Sequence, residues 1–202
     1  VFCHPRGDSY NGAVLATVRA RLQAAGAEVR VRDLYREEFQ PVLTGPEWTG
    51  YADSPANEAP VAREVADLRW CDTLVFVYPT WWYGLPAMLK GWLDRVMLPQ
   101  VAFELAPGGD IRPRLRHIRR LGIFTTCGAS WWLTRFVGAP GRRTLARGLG
   151  LLLGRPLRTA YAAHYRMDAS TAESRARHLR RVARQVDRLA GAGAARPVAE
   201  AA

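Results

Sequence analysis

The sequence predicts an α/β protein whose parallel sheet is doubly wound, with helices on both faces. Short apolar runs alternate with segments of helical periodicity along the 202 residues, notably at residues 1–3, 73–78 and 120–126. Runs of this kind are typical of parallel strands that are buried on both faces. With right-handed crossovers, the alternation predicts one three-layer domain.

The first half of the chain supplies two strands and two helices. A helix is expected over residues 11–25, because Val14, Val18 and Leu22 share one face and Gly26 ends the pattern. The second strand is expected over residues 28–34. Residues 35–60 form a long irregular stretch, which in a compact domain is usually functional, and the second helix covers residues 58–70.

The second half repeats the alternation. After the third strand, residues 73–78, a helix is expected over residues 86–98, because proline suits the first helical position. The last helix, residues 170–189, completes the domain at 1–189, and residues 190–202, rich in Ala, Gly and Pro, are predicted to be a flexible tail. Between them we expect an irregular region at 101–116, a strand at 120–126, a loop with Trp131 and Trp132, a helix at 141–153 and a strand at 157–163.

The charge balance indicates a basic surface rather than a nucleic-acid site. The net charge is +11, and Lys90 is the only lysine, so nearly all of the positive charge is arginine. The arginines are spread along the chain, and those of residues 175–188 flank an apolar helical stripe, as expected for a solvated face. Attraction to anionic ligands such as nucleotide phosphates is the functional interpretation that we retain.

Cysteine and histidine usage points to a reducing compartment without a metal site. The three cysteines, Cys3, Cys71 and Cys127, have no disulfide or metal-ligand spacing, and the four histidines show no paired zinc spacing. We therefore expect a cytoplasmic protein. No apolar stretch reaches the roughly 18–20 residues of a membrane span, so stable membrane insertion is not expected. The first strand is short, and we expect that residues upstream of Val1 belong to it.

The most informative segment is an aromatic loop after the third strand. Trp81, Trp82 and Tyr83 lie between Pro79 and Gly84, and a helix follows. In open α/β sheets, ligands bind at the carboxyl ends of the strands. These aromatics are expected to cover a flat, conjugated ligand there; the alternative is a core or dimer aromatic cluster.

A second candidate loop follows the first strand, at residues 4–11. It reads His4-Pro5-Arg6-Gly7-Asp8-Ser9-Tyr10-Asn11 and lacks the G-x-G-x-x-G pattern of a Rossmann dinucleotide site. Its polar side chains precede a helix, whose free N–H groups and dipole suit an anion. An ordinary helix cap formed by Ser9 or Asn11 is the alternative.

Three segments together resemble one family. The loop at residues 4–11 is similar to its phosphate loop, residues 78–96 to its isoalloxazine loop and following helix, and Thr125-Thr126-Cys127-Gly128-Ala129 to its second flavin loop. The family is that of the NAD(P)H:quinone oxidoreductases of the flavodoxin-like fold. It includes DT-diaphorase, the modulators of drug activity and the ancillary subunits of potassium efflux systems.

The resemblance implies the architecture, the cofactor and the reaction. The sheet would have five strands in the order 2-1-3-4-5, and the protein would form homodimers with active sites at the interface. FAD, or FMN in some members, would accept hydride from NAD(P)H and pass it to a quinone or similar flat aromatic acceptor. A regulatory flavoprotein subunit that docks on a membrane transporter is the alternative function.

The resemblance also assigns site residues, position by position. No residue is assigned a catalytic role, because the flavin performs the hydride transfer. The expected substrate pocket consists of Tyr83, Trp131 and Trp132. The expected cofactor-binding residues are His4, Arg6, Ser9, Tyr10, Asn11, Pro79, Thr80, Trp81, Trp82, Tyr83, Gly84, Thr125, Thr126, Cys127 and Gly128.

The chain departs from the family pattern at three places. DT-diaphorase has a catalytic tyrosine and histidine after its second flavin loop, and residues 130–135 contain neither. Cys127 replaces a glycine, where a larger side chain could shift the flavin or narrow the pocket. Gln100 also lies where the family often has glycine.

Overall fold

The structure is a computed structural model that describes residues 1–106 and 108–191. The predicted tail, residues 190–202, lies outside the described residues from residue 192 onward. In chain order the elements are α1 (Tyr10–Ala24), α2 (Gly45–Thr49), a 3-10 helix (Ala56–Val61), α3 (Ala62–Trp70), β1 (Thr73–Thr80), α4 (Ala87–Val96), β2 (Phe103–Leu105), β3 (Ile111–Pro113), β4 (Arg120–Cys127), α5 (Trp131–Phe136), α6 (Pro140–Arg143), a π-helical turn (Thr144–Gly148), a 3-10 turn (Leu149–Leu151), β5 (Arg158–His164), a 3-10 turn (Met167–Ala169) and α7 (Ala172–Ala190).

The main sheet has three regular parallel strands in the order β1-β4-β5. The prediction of five regular strands is therefore not confirmed. Phe2 forms single parallel bridges with Val77 on one side and Asp33 on the other. Only one residue of the short segment 1–3 bridges residues 28–34, so the latter do not form a regular strand.

Helices cover both faces of the sheet, as the apolar runs predict. On one face, Val14 and Val18 of α1 and Val182 of α7 pack with Phe124 of β4. On the other face, α3 and α4 pack against β1 and β4, with Trp92 of α4 fully buried. The sheet is thus buried on both sides, which explains its nearly continuous apolar strands.

Several other local predictions differ from the structure. Residues 35–60, which were expected to be irregular, contain α2 and most of a 3-10 helix. Residues 101–116 contain the hairpin β2–β3, and Gly108 and Gly109 adopt positive φ angles at its turn. Trp131 and Trp132 begin a short helix, α5, because Ser130 caps it by accepting from the N–H of Leu133. The predicted helix at 141–153 is divided into three short helical segments, in a stretch where glycines weaken helix formation.

Two further observations concern the whole described chain. All three cysteines are free thiols. Over residues 1–106 and 108–191, each helix is too short or too polar to span a lipid bilayer.

Candidate functional site

The candidate site lies where β1, β4 and β5 end at one edge of the sheet. Thr80, the last residue of β1, pairs in register with Cys127, and Thr126 pairs with His164 of β5. The hydroxyl oxygens of Thr80 and Thr125 are 2.8 Å apart, so they share a hydrogen bond across the two strands. The sheet therefore brings the two predicted flavin loops together.

The first turn of α1 adds a helix N-terminus to this edge. Ser9 caps the helix, and its hydroxyl accepts from the N–H of Gly12 over 3.2 Å. Asn11 is buried, and its Nδ2 donates to the hydroxyl of Thr126 over 3.0 Å. The remaining first-turn N–H groups have no partners inside the helix, and they can bind an anion.

The loop before α1 is packed too closely for a side chain at Gly12. A Cβ atom there would lie 1.9 Å from the carbonyl oxygen of Gly7. Within the loop, the N–H of Arg6 donates to Nδ1 of His4 over 3.0 Å. Arg6 also forms an exposed ion pair with Asp8. Glycine at position 12 is therefore required by packing within the chain.

The aromatic segment forms a strained turn directly after β1. The N–H of Gly84 donates to the carbonyl of Trp81 over 2.9 Å, and the two residues between them, Trp82 and Tyr83, have φ angles of 48° and 61°. Positive φ is costly for residues other than glycine, at about 1–3 kcal/mol each. Trp82 is 96% exposed. A large aromatic side chain held open on a strained turn is typical of a ligand-binding surface.

A second wall packs against this turn. A Cβ at Gly141 of α6 would lie 3.1 Å from the carbonyl carbon of Gly84, so glycine permits the close approach. Trp131 and Trp132 begin α5, and their rings meet edge-on with centroids 4.6 Å apart. Trp132 is 75% exposed. The structure therefore places both tryptophans on a helix rather than on a loop.

The second flavin loop has small residues and one buried thiol. Sγ of Cys127 lies 3.6 Å from the hydroxyl of Thr134 in α5, so the thiol points into the protein. A Cβ at Gly128 would come within 2.8 Å of a carboxylate oxygen of Asp168. The N–H of Arg166 donates to the carbonyl of Ala129 over 3.1 Å. The segment after β5 therefore packs across this loop.

The side chain of Tyr10, a predicted cofactor-binding residue, is hydrogen-bonded to α7. Its hydroxyl donates to the carbonyl of Arg175 and lies 2.9 Å from Nδ1 of His178, both on α7. Burial raises the pKa of Tyr10 to about 12. The phenol is therefore neutral near pH 7, and its hydroxyl is bound by α7.

Sequence reasoning missed three residues beside the site: His164, Asp168 and His178. His164 ends β5 and directly follows a predicted strand, so the rule that ligands bind at strand ends could have selected it. Asp168 and His178 carry no comparable signal, because the crossover that brings them to the loops is tertiary. In the part of the chain that the structure describes, no cluster of three or more metal-ligating side chains is found.

The described residues also enclose cavities outside the carboxyl ends of the strands. One of about 420 Å³ is at the amino ends of the strands, lined by Thr73, Arg120 and residues 27–32. The other, about 640 Å³, lies along α1 beside Gly7 and Gly12. No predicted site residue lines the first cavity, so it is separate from the candidate site.

These features define a doubly wound α/β protein with an anion-binding helix start and an aromatic turn at one sheet edge. The chain belongs to the family described as having the flavodoxin-like fold, whose family model matches residues 1–186. The resemblance found in the sequence is thereby confirmed, as is the parallel α/β class.

Individual relatives agree with this placement. The chain is 37% identical over 97 residues to an uncharacterized NAD(P)H oxidoreductase, YcaK, from Escherichia coli, covering 48% of this chain and 50% of that protein. An NAD(P)H:quinone oxidoreductase from Methanothermobacter marburgensis superposes with a TM-score of 0.77 at 26% identity, covering 93% and 94% of the two chains.

A more distant likeness shows the fold alone. It is to an FMN-dependent NADH-azoreductase from Bacillus anthracis in complex with FMN, at 14% identity and a TM-score of 0.68, over 96% of this chain and 97% of that chain. The matches to curated relatives span about half the length of those proteins.

Proposed function

We propose that this chain binds a flavin nucleotide at the candidate site and transfers hydride from NAD(P)H to a quinone or similar flat aromatic acceptor. The observation that carries the proposal is the meeting of three groups at one sheet edge. They are the N-terminus of α1, the threonine pair Thr80–Thr125 and the exposed aromatic turn at residues 81–84.

The residues at this edge fit a flavin nucleotide. Oδ1 of Asn11 is buried and has no hydrogen-bond partner among residues 1–106 and 108–191, so an acceptor remains for a polar ligand. The lack of side chains at Gly12 and Gly128 lets the first turn of α1 and the second flavin loop pack closely against Gly7 and Asp168.

Each segment has a separate task in this proposal. The first turn of α1 and Ser9 hold the phosphate, because N–H groups at a helix start suit an anion. The turn at residues 81–84 supplies an apolar face for the ring, with Tyr83 and Trp131 or Trp132 beside the acceptor. Thr125, Thr126 and Gly128 lie along the polar edge. The flavin, when bound, supplies the two-electron chemistry, and the side chains bind, orient and exclude water.

The relatives support the reaction class and leave the flavin open. The Methanothermobacter protein is named as an NAD(P)H:quinone oxidoreductase, and the Bacillus azoreductase is described with FMN. We propose FAD as the cofactor, with FMN as the alternative, as the sequence resemblance implies. No observation on the described residues favours a transporter-docking subunit, so that alternative is not carried forward.

We also propose that the protein is a homodimer with the site at the subunit interface. The support is an exposed apolar surface at the end of α5, where Phe136 is 89% exposed and Leu133 and the C-cap residue Val137 are exposed as well. A patch of this kind marks an interaction site in soluble proteins. Replacement of Phe136 by Ser is expected to shift the mass measured by light scattering from dimer toward monomer.

We also propose the strand order, a single domain and a cytoplasmic location. Residues 1–3 are the first predicted strand, residues 28–34 the second, and β1, β4 and β5 the third to fifth. The bridges of Phe2 to Val77 and Asp33 place the first between the second and third, which supports the predicted order 2-1-3-4-5 and one domain over residues 1–189. The free cysteines support a reducing, cytoplasmic setting.

The proposal is tested by reconstitution of the purified protein. FAD and FMN are each titrated into the protein, binding is measured by quenching of flavin fluorescence, and oxidation of NADH and NADPH is followed with menadione as acceptor. We expect tight binding of one flavin and acceptor-dependent turnover. Failure to bind either flavin, with no turnover, would reject the proposal.

A further inference from the structure

Three rings from three elements form a cluster beside the first turn of α1. Tyr10 of α1, His164 at the end of β5 and His178 of α7 meet with centroids 5.3 to 5.9 Å apart. Both histidines are buried. Neither histidine belongs to a predicted flavin loop, whereas Tyr10, which opens α1, is part of the predicted phosphate loop.

The hydrogen bonds of Tyr10 fix the roles of its partners. Its hydroxyl donates to the carbonyl of Arg175 over 2.9 Å and lies 2.9 Å from Nδ1 of His178. The hydroxyl has one proton, and a carbonyl oxygen can only accept. His178 therefore donates its Nδ1–H to the Tyr10 oxygen, and α7 holds the start of α1 through both bonds.

The cluster works through neutral groups near pH 7. Burial, with smaller contributions from His164 and Arg181, lowers the pKa of His178 to about 4. Burial also lowers the pKa of His164, with a smaller contribution in the same direction from Arg175. With both rings uncharged, the connection between α1 and α7 depends on hydrogen-bond geometry and packing rather than on ion pairing.

The first turn of α1 is consequently held from two sides. Tyr10 is bound by α7, and the next residue, Asn11, donates to Thr126 of β4 over 3.0 Å. His164 extends the same support, since its Nε2 lies 3.3 Å from the hydroxyl of Ser174, part of the capping box of α7. Movement of α7 would therefore reorient the first-turn N–H groups.

We propose that His178 and Tyr10 are a positioning pair for the phosphate-binding turn. Through the Tyr10 hydroxyl, α7 fixes the orientation of the first-turn N–H groups of α1, and the affinity for the flavin phosphate depends on it. The inference rests on the proposed flavin site. It assigns Tyr10 a positioning role in place of side-chain contact with the phosphate.

The experiment compares a flavin nucleotide with riboflavin, which lacks the phosphate. In Tyr10→Phe, affinity for the nucleotide that the wild type binds is expected to fall about fivefold to tenfold, because both hydrogen bonds between this hydroxyl and α7 are lost. Riboflavin affinity is expected to stay the same. Tyr51→Phe is the matched control, because it removes a half-buried hydroxyl that donates to the carbonyl of Met97, and it should change neither affinity.

Variants of His178 test the pair itself. His178→Leu is expected to weaken nucleotide binding, though less than Tyr10→Phe, because the bond from Tyr10 to the Arg175 carbonyl remains. His178→Asn keeps an N–H donor and should retain most of the affinity. Combining Tyr10→Phe with His178→Leu is expected to weaken binding no more than Tyr10→Phe alone, because that change already removes the contact with His178.

A readout without flavin completes the test. Hydrogen exchange of the amides of Gly12 and Ala13, which donate to Ser9, should be faster in apo Tyr10→Phe than in the apo wild type or in apo Tyr51→Phe. Equal losses of nucleotide and riboflavin affinity, or unchanged exchange in Tyr10→Phe, would overturn the positioning role. If the wild type binds no flavin, the proposed function fails, and the exchange data still decide whether α7 fixes the turn.

Discussion

The amide Nδ2 of Asn11 donates to the hydroxyl of Thr126 over 3.0 Å, across 115 positions of the chain. Asn11 lies in the first turn of α1, and Thr126 lies near the end of β4. Both residues are buried, so the contact is shielded from water. This bond connects the proposed phosphate-binding turn to the proposed flavin-edge loop, and each loop helps to position the other.

Removing the Asn11 amide is expected to affect both stability and binding. Asn11→Ala leaves the buried Thr126 hydroxyl without this partner, which costs about 1–3 kcal/mol in the free energy of unfolding. Urea denaturation measures this loss, and flavin titration should show weaker nucleotide binding. Asn57→Ala is the control, since its Nδ2 donates to the carbonyl of Tyr51 in another part of the chain. If Asn57→Ala weakens flavin binding equally, the loop contact is not specific.

A methyl group at Gly12 is expected to disrupt the phosphate loop. In Gly12→Ala the new Cβ would lie 1.9 Å from the Gly7 carbonyl oxygen, so the loop must move. We expect a loss of about 1–3 kcal/mol, typical of overpacking, together with loss of flavin binding. Gly148→Ala meets no atom within 4 Å and should keep both properties. A fully stable, flavin-binding Gly12→Ala protein would contradict the packing argument.

Trp82→Gly is expected to weaken flavin binding and to leave the stability of the fold nearly unchanged. Trp82 has a φ angle of 48°, so Trp82→Gly relieves backbone strain in the folded protein. Glycine also raises the conformational entropy of the unfolded chain, which opposes this gain. The free energy of unfolding should therefore change by less than about 1 kcal/mol. Flavin affinity should fall about threefold to tenfold, the value of an aromatic contact.

Gln100→Gly provides the comparison for Trp82→Gly. Gln100 also has a positive φ angle, 63°, which explains how a glycine is accommodated there in the family pattern. The same strain is relieved outside the aromatic turn, so thermal denaturation should change as in Trp82→Gly while flavin affinity stays the same. Unchanged flavin affinity in Trp82→Gly would remove Trp82 from the site.

The depressed pKa of His178 predicts a pH dependence of stability. The unfolded histidine binds a proton near pH 6.5, whereas in the folded protein burial delays protonation to about pH 4. Because the unfolded state binds more protons in this window, the free energy of unfolding falls as the pH falls from 6.5 to 4. His178→Asn removes this contribution.

The measurement is urea denaturation at several pH values across that window. One proton corresponds to a slope of at most about 1.4 kcal/mol per pH unit. The slope of the wild type should exceed that of His178→Asn, and the slope that remains includes His164, whose pKa burial also lowers. Identical slopes in the wild type and in His178→Asn would show that the pKa of His178 is the same in the folded and unfolded states.

Most of the fold followed from local sequence patterns. The strands predicted at 73–78, 120–126 and 157–163 correspond to β1, β4 and β5, with ends that differ by one or two residues. Strands buried on both faces must be apolar throughout, so the signal is strong. The segment at 28–34 failed as a regular strand because its pairing depends on its neighbour, and only Phe2 bridges to it.

Local caps decided two features of the candidate site. A helix cap formed by Ser9 or Asn11 was the alternative interpretation of the first loop, and Ser9 does cap α1, because capping involves residues three positions apart. Trp131 and Trp132 were expected on a loop and begin α5. The local sequence is compatible with a loop or a helix at these tryptophans. The helix forms because Ser130 caps it.

The sequence by itself determined which residues end the strands and open α1, because hydrophobic periodicity and capping act over a few positions. It therefore placed Thr80, Thr125 and Ser9 at one sheet edge. Only the tertiary structure decided that the Tyr10 hydroxyl is bound by His178, which is 168 positions away. Side-chain hydrogen bonds between distant elements depend on how helices pack across the sheet, and that packing is a property of the whole chain.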